Sequence, residues 1–397
     1  MKNNIIANPF FLYALTWGCV FGVYELGWSD FYPNLSNGLF FFFIITVLVS
    51  LIIALYCQQK RFFCYKSIPP KYINIRKLKK YMVYLYALLL IEFIFTGCPL
   101  VSYITTGKTN YIDFGLPIIH VLLISGFTMM ALFSFYSFQS IIDKKKKKSL
   151  IKICIGCLFP FVLFFNRGGL MFILVGITLI YLMNVKKVTS KLCGVIIGGL
   201  LVLYIFGVMG DARTDLEPDQ HFILELGKAT DGFRDSAIPK EYFWSYIYIA
   251  SPIGNLQHNI DYSEPQEYGL SNLGELFLFE FTPTIFSKRI NELLGIEKKK
   301  PLLVLPALNV SSVYNGSFLC MGWYGIILNY IVYIFFITVT IGLISKKSPY
   351  YVCLLTSVNL ITIFNLFDNM FVFMGLIPVP FLWLLLDKFK NYTFKKI

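Results

Sequence analysis

The sequence predicts an all-α polytopic membrane protein with about ten transmembrane helices and one long external loop that contains interfacial helices. Hydrophobic residues make up 57% of the 397 residues, and charged residues only 14%. In soluble proteins about a quarter of the residues are charged. Ten apolar segments are long enough, or nearly so, to cross a hydrocarbon core, which needs about 20 helical residues. These segments are 9–27, 38–57, 81–98, 117–141, 150–165, 168–185, 192–209, 316–344, 350–367 and 370–386.

The basic residues predict the orientation of these segments. Threading the chain from a cytoplasmic N-terminus places five basic loops or tails on one side: Lys60–Lys80, Lys144–Lys152, Lys186–Lys191, Lys346–Lys347 and Lys388–Lys396. With Lys2, that side carries 24 of the 35 Lys and Arg residues and two acids, Asp143 and Asp387. An excess of Lys and Arg is typical of cytoplasmic loops. We therefore expect a multi-pass membrane protein with both termini in the cytoplasm. A nucleic-acid partner is not expected, because its binding needs basic groups gathered on one folded surface.

The spans are distributed unevenly along the chain. An N-terminal bundle of about seven helices (1–209) and a C-terminal bundle of about three (316–397) flank the long segment 210–315, which the charge pattern places outside, in the periplasm of a Gram-negative cell. Within this segment, Tyr242–Pro252 and Glu275–Phe286 are aromatic and too short to span, so they predict interfacial helices. Loops this long are usually functional, and we expect this one to act as a lid or cap over a cavity.

One arginine lies where two predicted spans meet. The stretch from Ser149 to Lys187 reads as a hairpin whose turn is Asn166–Gly169, and Arg167 is the only charged residue of that turn. An Arg held at the mouth of a helix bundle is costly unless it meets an anion, such as a carboxylate or a ligand phosphate. Arg167 is therefore predicted to clamp an anion.

A second arginine, Arg213, follows the seventh span directly. Asp211, Asp215 and Glu217 flank it and could either pair with it or supply a general base beside a bound phosphate. His258 follows the first interfacial stretch and is a further candidate for proton transfer. Arg167, Arg213, Asp211, Asp215 and His258 are thus the candidate catalytic residues.

Other residues of the external segment could hold a substrate. Arg234, Lys240 and Arg289 could bind phosphate, and Trp244 could stack on a sugar ring or anchor the segment to the membrane surface. The sequence contains no metal-binding motif and no glycine-rich phosphate loop. Neither a metal nor another cofactor is therefore expected.

These features together resemble the Wzy-type O-antigen polymerases, within the superfamily that also contains the O-antigen ligases. The resemblance rests on the ten-span plan with one late external loop, the Phe164–Leu170 hairpin turn, Arg213 after the next span, and a return to the membrane through Ser311–Phe318 and Gly322–Gly325. The similarity extends over nearly the whole length, and the architecture is more diagnostic than any of these short motifs.

The resemblance implies a metal-independent glycosyltransferase. Such an enzyme joins oligosaccharide repeat units carried on undecaprenyl pyrophosphate into surface polysaccharide, on the periplasmic face of the inner membrane. Its partners would be these lipid-linked oligosaccharides, membrane lipids and a chain-length regulator. Arg167 and Arg213 would stabilise the charge that develops on the pyrophosphate leaving group, and one of Asp211, Asp215, Glu217 and His258 would take the proton of the acceptor hydroxyl.

Two alternatives belong to different functional classes. An O-antigen ligase shares the plan, but it depends on a histidine motif in the external loop that the surroundings of His258 do not match. A polysaccharide flippase or exporter would have two similar halves and short loops throughout, neither of which this chain has.

The charge pattern makes a testable prediction about topology. Reporter fusions after Lys80, Lys148, Lys187, Lys347 and Ile397 should read as cytoplasmic, because the basic clusters orient the spans. A fusion at Asp261 should read as external, and a cytoplasmic signal there would contradict the predicted orientation.

Overall fold

In the computed structural model of the protein, all regular secondary structure in the described residues is helical. The described residues are 2–66, 73–107, 114–185, 188–211, 222–264, 268–305, 308 and 310–394. Their sixteen α-helices are α1 (Pro9–Tyr24), α2 (Asn37–Gln59), α3 (Ile75–Thr96), α4 (Pro99–Thr106), α5 (Pro117–Ser140), α6 (Lys144–Leu163), α7 (Arg167–Asn184), α8 (Val188–Asp211), α9 (Phe222–Leu226), α10 (Asp231–Arg234), α11 (Tyr242–Tyr262), α12 (Leu270–Leu276), α13 (Thr284–Leu294), α14 (Val313–Gly342), α15 (Tyr351–Phe364) and α16 (Pro378–Phe394).

The protein is a helical membrane protein. By length and composition, four helices can cross a membrane: α2, α5, α7 and α14. A fifth span is possible if α3 and α4, which are bent by 43° at a short break, count as one. Each of the ten predicted apolar segments overlaps a helix, although several of these helices, such as α1 and α15, are shorter. The all-helical fold is thus confirmed, while ten spans remain a prediction.

The basic clusters meet at one end of the bundle, which we call the basic end. The Lys346 ammonium, beyond the end of α14, donates to the carbonyl of Arg61, beyond the end of α2 (3.1 Å). The Lys2 ammonium donates to Asn184 at the end of α7 (2.7 Å). At the opposite end, which we call the far end, α14 begins beside the end of α15, where the Val313 N–H donates to the Asn365 carbonyl (2.9 Å).

The segment between α8 and α14 packs into the bundle. The sequence predicted a short interfacial helix over Tyr242–Pro252, but α11 continues to Tyr262, contacts α1, α8 and α14, and has most of its residues buried. Asn255 and Asn259 explain this burial. Their amides donate to the Leu308 and Leu302 carbonyls (2.9 and 2.7 Å), and their side-chain oxygens accept from the N–H groups of Val304 and Leu302 (both 2.9 Å). Helix α11 is therefore longer than predicted and packs against the bundle, while its interfacial location remains a prediction.

The second aromatic stretch, Glu275–Phe286, is closer to its prediction. It contains the end of α12, a π-helical turn (Phe277–Phe281) and the first residues of α13. On α13, Phe286, Ile290 and Leu293 recur at helical spacing and are exposed. An amphipathic helix of this kind suits a membrane surface.

Helix α14 is broken after two turns. Met321 and Gly322 depart from helical geometry, and Gly322 has φ 54° and ψ −137°. The break separates a half-helix, 313–320, from the long apolar remainder. The carbonyl groups freed at the end of the half-helix accept hydrogen bonds from the preceding segment: Lys299 donates to Leu319 (3.3 Å) and Asn272 to Cys320 (3.5 Å).

The break predicts a specific sensitivity to substitution. Gly322→Ala should lower the free energy of unfolding by about 1–3 kcal/mol, because L-residues rarely adopt this backbone conformation. The matched control is Gly342→Ala in the last turn of the same helix, where an added Cβ meets open space. Thermal melting of the two purified variants in detergent checks this, and an equal effect of both would contradict it.

Candidate functional site

The α6–α7 hairpin places Arg167 through an unusual backbone conformation. Phe165 has φ 56°, in the left-handed region that bulky residues seldom occupy. Hydrogen bonds hold this turn: the Phe165 N–H donates to Val162 (3.1 Å) and the Asn166 N–H to Phe161 (3.0 Å). The Tyr103 ring packs edge-on against Phe165 (5.5 Å between centroids). Backbone strain of this kind is concentrated at functional sites and persists only where surrounding contacts impose it.

Arg167 lies at the first position of α7, where the helix dipole is positive. The Asn166 side chain caps the helix by accepting from the Gly169 N–H (2.8 Å). The Arg167 side chain is exposed, and within the described residues it makes no hydrogen bond or ion pair. A cation at a helix N-terminus is unfavourable unless an anion lies nearby. The Arg167 guanidinium and the N-terminus of α7 together therefore form an anion-binding site.

The second predicted cation, Arg213, lies outside the described residues, and so do Asp215 and Glu217. Asp211 ends α8, and its carboxylate accepts a hydrogen bond from the Trp244 indole N–H on α11 (2.7 Å). The structure therefore brings together one candidate acid and the candidate sugar-stacking ring. Because Gly210 has no side chain, the Trp244 ring can pack closely against it and reach Asp211.

Two other candidate cations bind backbone carbonyls of their own segment. The Arg234 guanidinium donates to Ala229 (2.9 Å) and Leu224 (2.8 Å). The Lys240 ammonium donates to Phe233 (2.9 Å) and Ser236 (2.7 Å). These bonds hold the turns between α9 and α11 together, so both side chains have a local structural role.

The remaining candidates differ in their surroundings. His258 lies half-buried on α11 with its ring against Tyr262, one helical turn on (4.8 Å between centroids). Arg289 lies exposed on α13, beside the apolar residues of that helix. Neither makes a hydrogen bond or ion pair with Arg167 or Asp211 in the part of the chain that the structure describes.

The structure also contains a buried acid that the sequence analysis did not single out. Glu280, in the π-helical turn, is 1% exposed. One carboxylate oxygen lies 2.9 Å from the Lys298 ammonium, and the other accepts from the Asn369 amide (2.8 Å). The carboxylate lies against Gly316, where a Cβ would overlap it. Glu280 thus joins the external segment, the half-helix of α14 and the α15–α16 turn.

Burial controls the charge of this carboxyl group. It raises the pKa of Glu280, while the Lys298 ammonium and the Asn369 amide act in the opposite direction. A carboxyl group with a raised pKa can exchange a proton closer to neutral pH. The sequence feature that could have identified Glu280 is a single acid between two aromatic residues, Phe279 and Phe281. Its partners, Lys298 and Asn369, are distant in the sequence.

Two buried polar atoms lie at the start of the same half-helix. Ser312 is 4% exposed and Asn315 is 1% exposed. The Asn315 amide nitrogen donates to the Ser311 hydroxyl (2.8 Å), but the Asn315 carbonyl oxygen and the Ser312 hydroxyl have no hydrogen-bond partner among the described residues. Buried polar groups are usually hydrogen-bonded, so unpaired ones call for an explanation such as a bound ligand.

A second buried acid lies near the end of α3. Glu92 is fully buried there. It accepts from the Leu116 N–H at the start of α5 (3.1 Å) and pairs with the His120 imidazole (3.2 Å). Glu92 therefore links α3 to α5.

The chain matches no protein-family model, no curated protein and no solved structure. Its assignment as a helical membrane protein therefore rests on its own apolar helices.

The Glu280 cluster predicts how stability depends on pH. Because its pKa is raised in the folded protein, the folded state binds the proton more tightly than the unfolded chain, and stability is lost as pH rises through the folded pKa. As pH rises above the ordinary carboxyl range, the wild-type melting temperature should therefore fall more than that of Glu280→Gln.

The control for this comparison is Glu292→Gln, which neutralises an exposed acid on α13. It should keep the wild-type dependence on pH. Equal slopes for wild type and Glu280→Gln would contradict the assigned direction of the pKa shift.

Proposed function

We propose that the protein is an O-antigen polymerase, a membrane glycosyltransferase that joins repeat units carried on undecaprenyl pyrophosphate. In this proposal the far end faces the periplasm, both termini are cytoplasmic, and the protein lies in the bacterial inner membrane. The basis is the resemblance in helix plan, hairpin turn and return motif, together with the chemistry of the far end.

The observation that carries the proposal is Arg167. Its guanidinium is exposed, has no partner among the described residues, and stands at the positive end of α7 on a strained turn. A pyrophosphate leaving group gains negative charge as the glycosidic bond breaks, and a planar guanidinium stabilises it through paired hydrogen bonds. Arg213 is proposed to act beside Arg167.

The acceptor side of the reaction needs a base and a sugar-binding surface. Asp211 and Trp244 supply a carboxylate and an aromatic ring in direct contact. We propose that this pair receives the acceptor sugar, with Asp215, Glu217 and His258 as the other candidate bases. Arg289 is proposed to hold a phosphate of the lipid carrier at the membrane surface.

The proposal predicts the lipopolysaccharide of a deletion strain. Loss of a polymerase should leave core lipid with a single repeat unit, because ligation of single units continues. A bare core with accumulated lipid-linked polymer would indicate a ligase instead, and a bare core with units trapped inside would indicate a flippase. Gel electrophoresis of lipopolysaccharide distinguishes these outcomes, and either bare-core result would refute the proposal.

Complementation of the same strain tests Arg167. Arg167→Ala should reduce long-chain polymer by about 100-fold or more, the effect of removing one stabilising donor. Arg167→Lys should restore it only in part, because an ammonium lacks the planar fork. Lys60→Ala, which removes a cation at the basic end, is the control. Membrane insertion of each variant is measured alongside, and wild-type polymer from an inserted Arg167→Ala variant would contradict the role.

A further inference from the structure

We propose that a groove between the N-terminal ends of α3 and α6 binds the head group of an anionic phospholipid. The groove has two adjoining parts, with volumes of about 380 and 560 Å³. Six basic side chains line it: Arg76, Lys79, Lys145, Lys146, Lys148 and Lys152. This site lies at the basic end and is independent of the proposed enzymatic activity.

The charge in the groove is not neutralised by the described part of the protein. Asp143 is the nearby acid in sequence, and one of its carboxylate oxygens already accepts from the N–H groups of Lys145 and Lys146 (2.8 and 3.2 Å). The ion pairs between described residues, Glu92–His120 and Glu280–Lys298, lie toward the far end. Both α3 and α6 also begin at the groove, so their dipoles add positive potential. An anion from outside the chain would relieve this repulsion.

The lysines occupy particular faces of their helices. Lys145, Lys148 and Lys152 recur at a spacing of three and four residues, which places them on one side of α6, and Lys79 lines the groove from α3. Lys147 instead lies over the Phe138 ring of α5 (5.3 Å). The run Lys144–Lys148 therefore contains lysines that line the groove and lysines that do not.

The position of the groove favours a lipid over a soluble anion. Beyond it, α3 and α6 are in contact, where the Tyr86 hydroxyl donates to the Gly156 carbonyl (2.7 Å). In the helical turns that make this contact, Val83 of α3 and Ile155 of α6 are exposed apolar residues (65% and 61%). An acyl chain could lie on this surface while its phosphate meets the lysines. Basic pockets between membrane helices commonly bind anionic head groups in this way.

The experiment measures binding of an acyl-labelled fluorescent phosphatidylglycerol to the full-length, delipidated protein in neutral detergent. The test variant is Lys79→Gln/Lys148→Gln/Lys152→Gln, which removes three groove lysines. The matched control is Lys77→Gln/Lys80→Gln/Lys147→Gln, which removes the same charge from residues of the same helices that do not line the groove. A reporter fused at Ile397 verifies that both variants insert in the wild-type orientation.

We expect the test variant to bind at least about tenfold more weakly and the control to stay within about twofold of wild type, since each lysine near an anionic surface contributes substantially. Unlabelled phosphatidylglycerol should displace the probe, whereas phosphatidylcholine and sodium pyrophosphate should not. Equal losses in the two variants would overturn the proposal, because the charge would then act without a defined site. Displacement by pyrophosphate as effective as by phosphatidylglycerol would also overturn it, in favour of a soluble anion.

Discussion

The break in α14 is the constraint that ties the external segment to the membrane bundle. A membrane helix normally satisfies its own backbone, and freed carbonyl groups in an apolar environment are costly unless other groups bind them. Here the Leu319 and Cys320 carbonyls receive hydrogen bonds from Lys299 and Asn272. Gly325 allows the continuing helix to approach the Ser317 carbonyl closely. The segment before α14 therefore completes that helix and packs with the bundle.

Features that cost stability accumulate at the far end. Phe165 occupies a left-handed conformation, and Glu280 is a buried acid. Ser312 and Asn315 each have a buried polar atom without a hydrogen-bond partner in the part of the chain that the structure describes. Each of these departs from what packing alone would favour, and such departures are expected where a protein binds or reacts with a ligand. The Arg167 turn and the half-helix of α14 belong to parts of the chain that are far apart in sequence. Their shared location at the far end is what makes it the candidate site.

Local patterns predicted the helices but not the partners of their polar groups. The apolar runs specify where helices form, because that preference depends on neighbouring residues. By contrast, the full length of α11 was not predicted, because Asn255 and Asn259 bind Leu308 and Leu302, more than forty residues away. Arg234 and Lys240 appeared in the sequence as cations open to a substrate, yet carbonyl groups of their own turns engage them. Glu280 was read as part of an interfacial stretch, since Asn369, 89 residues away, is invisible to any local pattern.

The two ends of the molecule use cations in different ways. At the far end, the Lys298 ammonium pairs with the Glu280 carboxylate and the Lys299 ammonium donates to the Leu319 carbonyl. Both charges therefore have partners within the protein. At the basic end, the lysines of α3 and α6 have no such acceptor among the described residues and face outward. Orientation in the membrane depends on how many basic residues lie on one side, whereas the groove depends on which helix faces carry them. Because α6 has lysines on several faces, its contribution to topology and its contribution to lipid binding are physically separable.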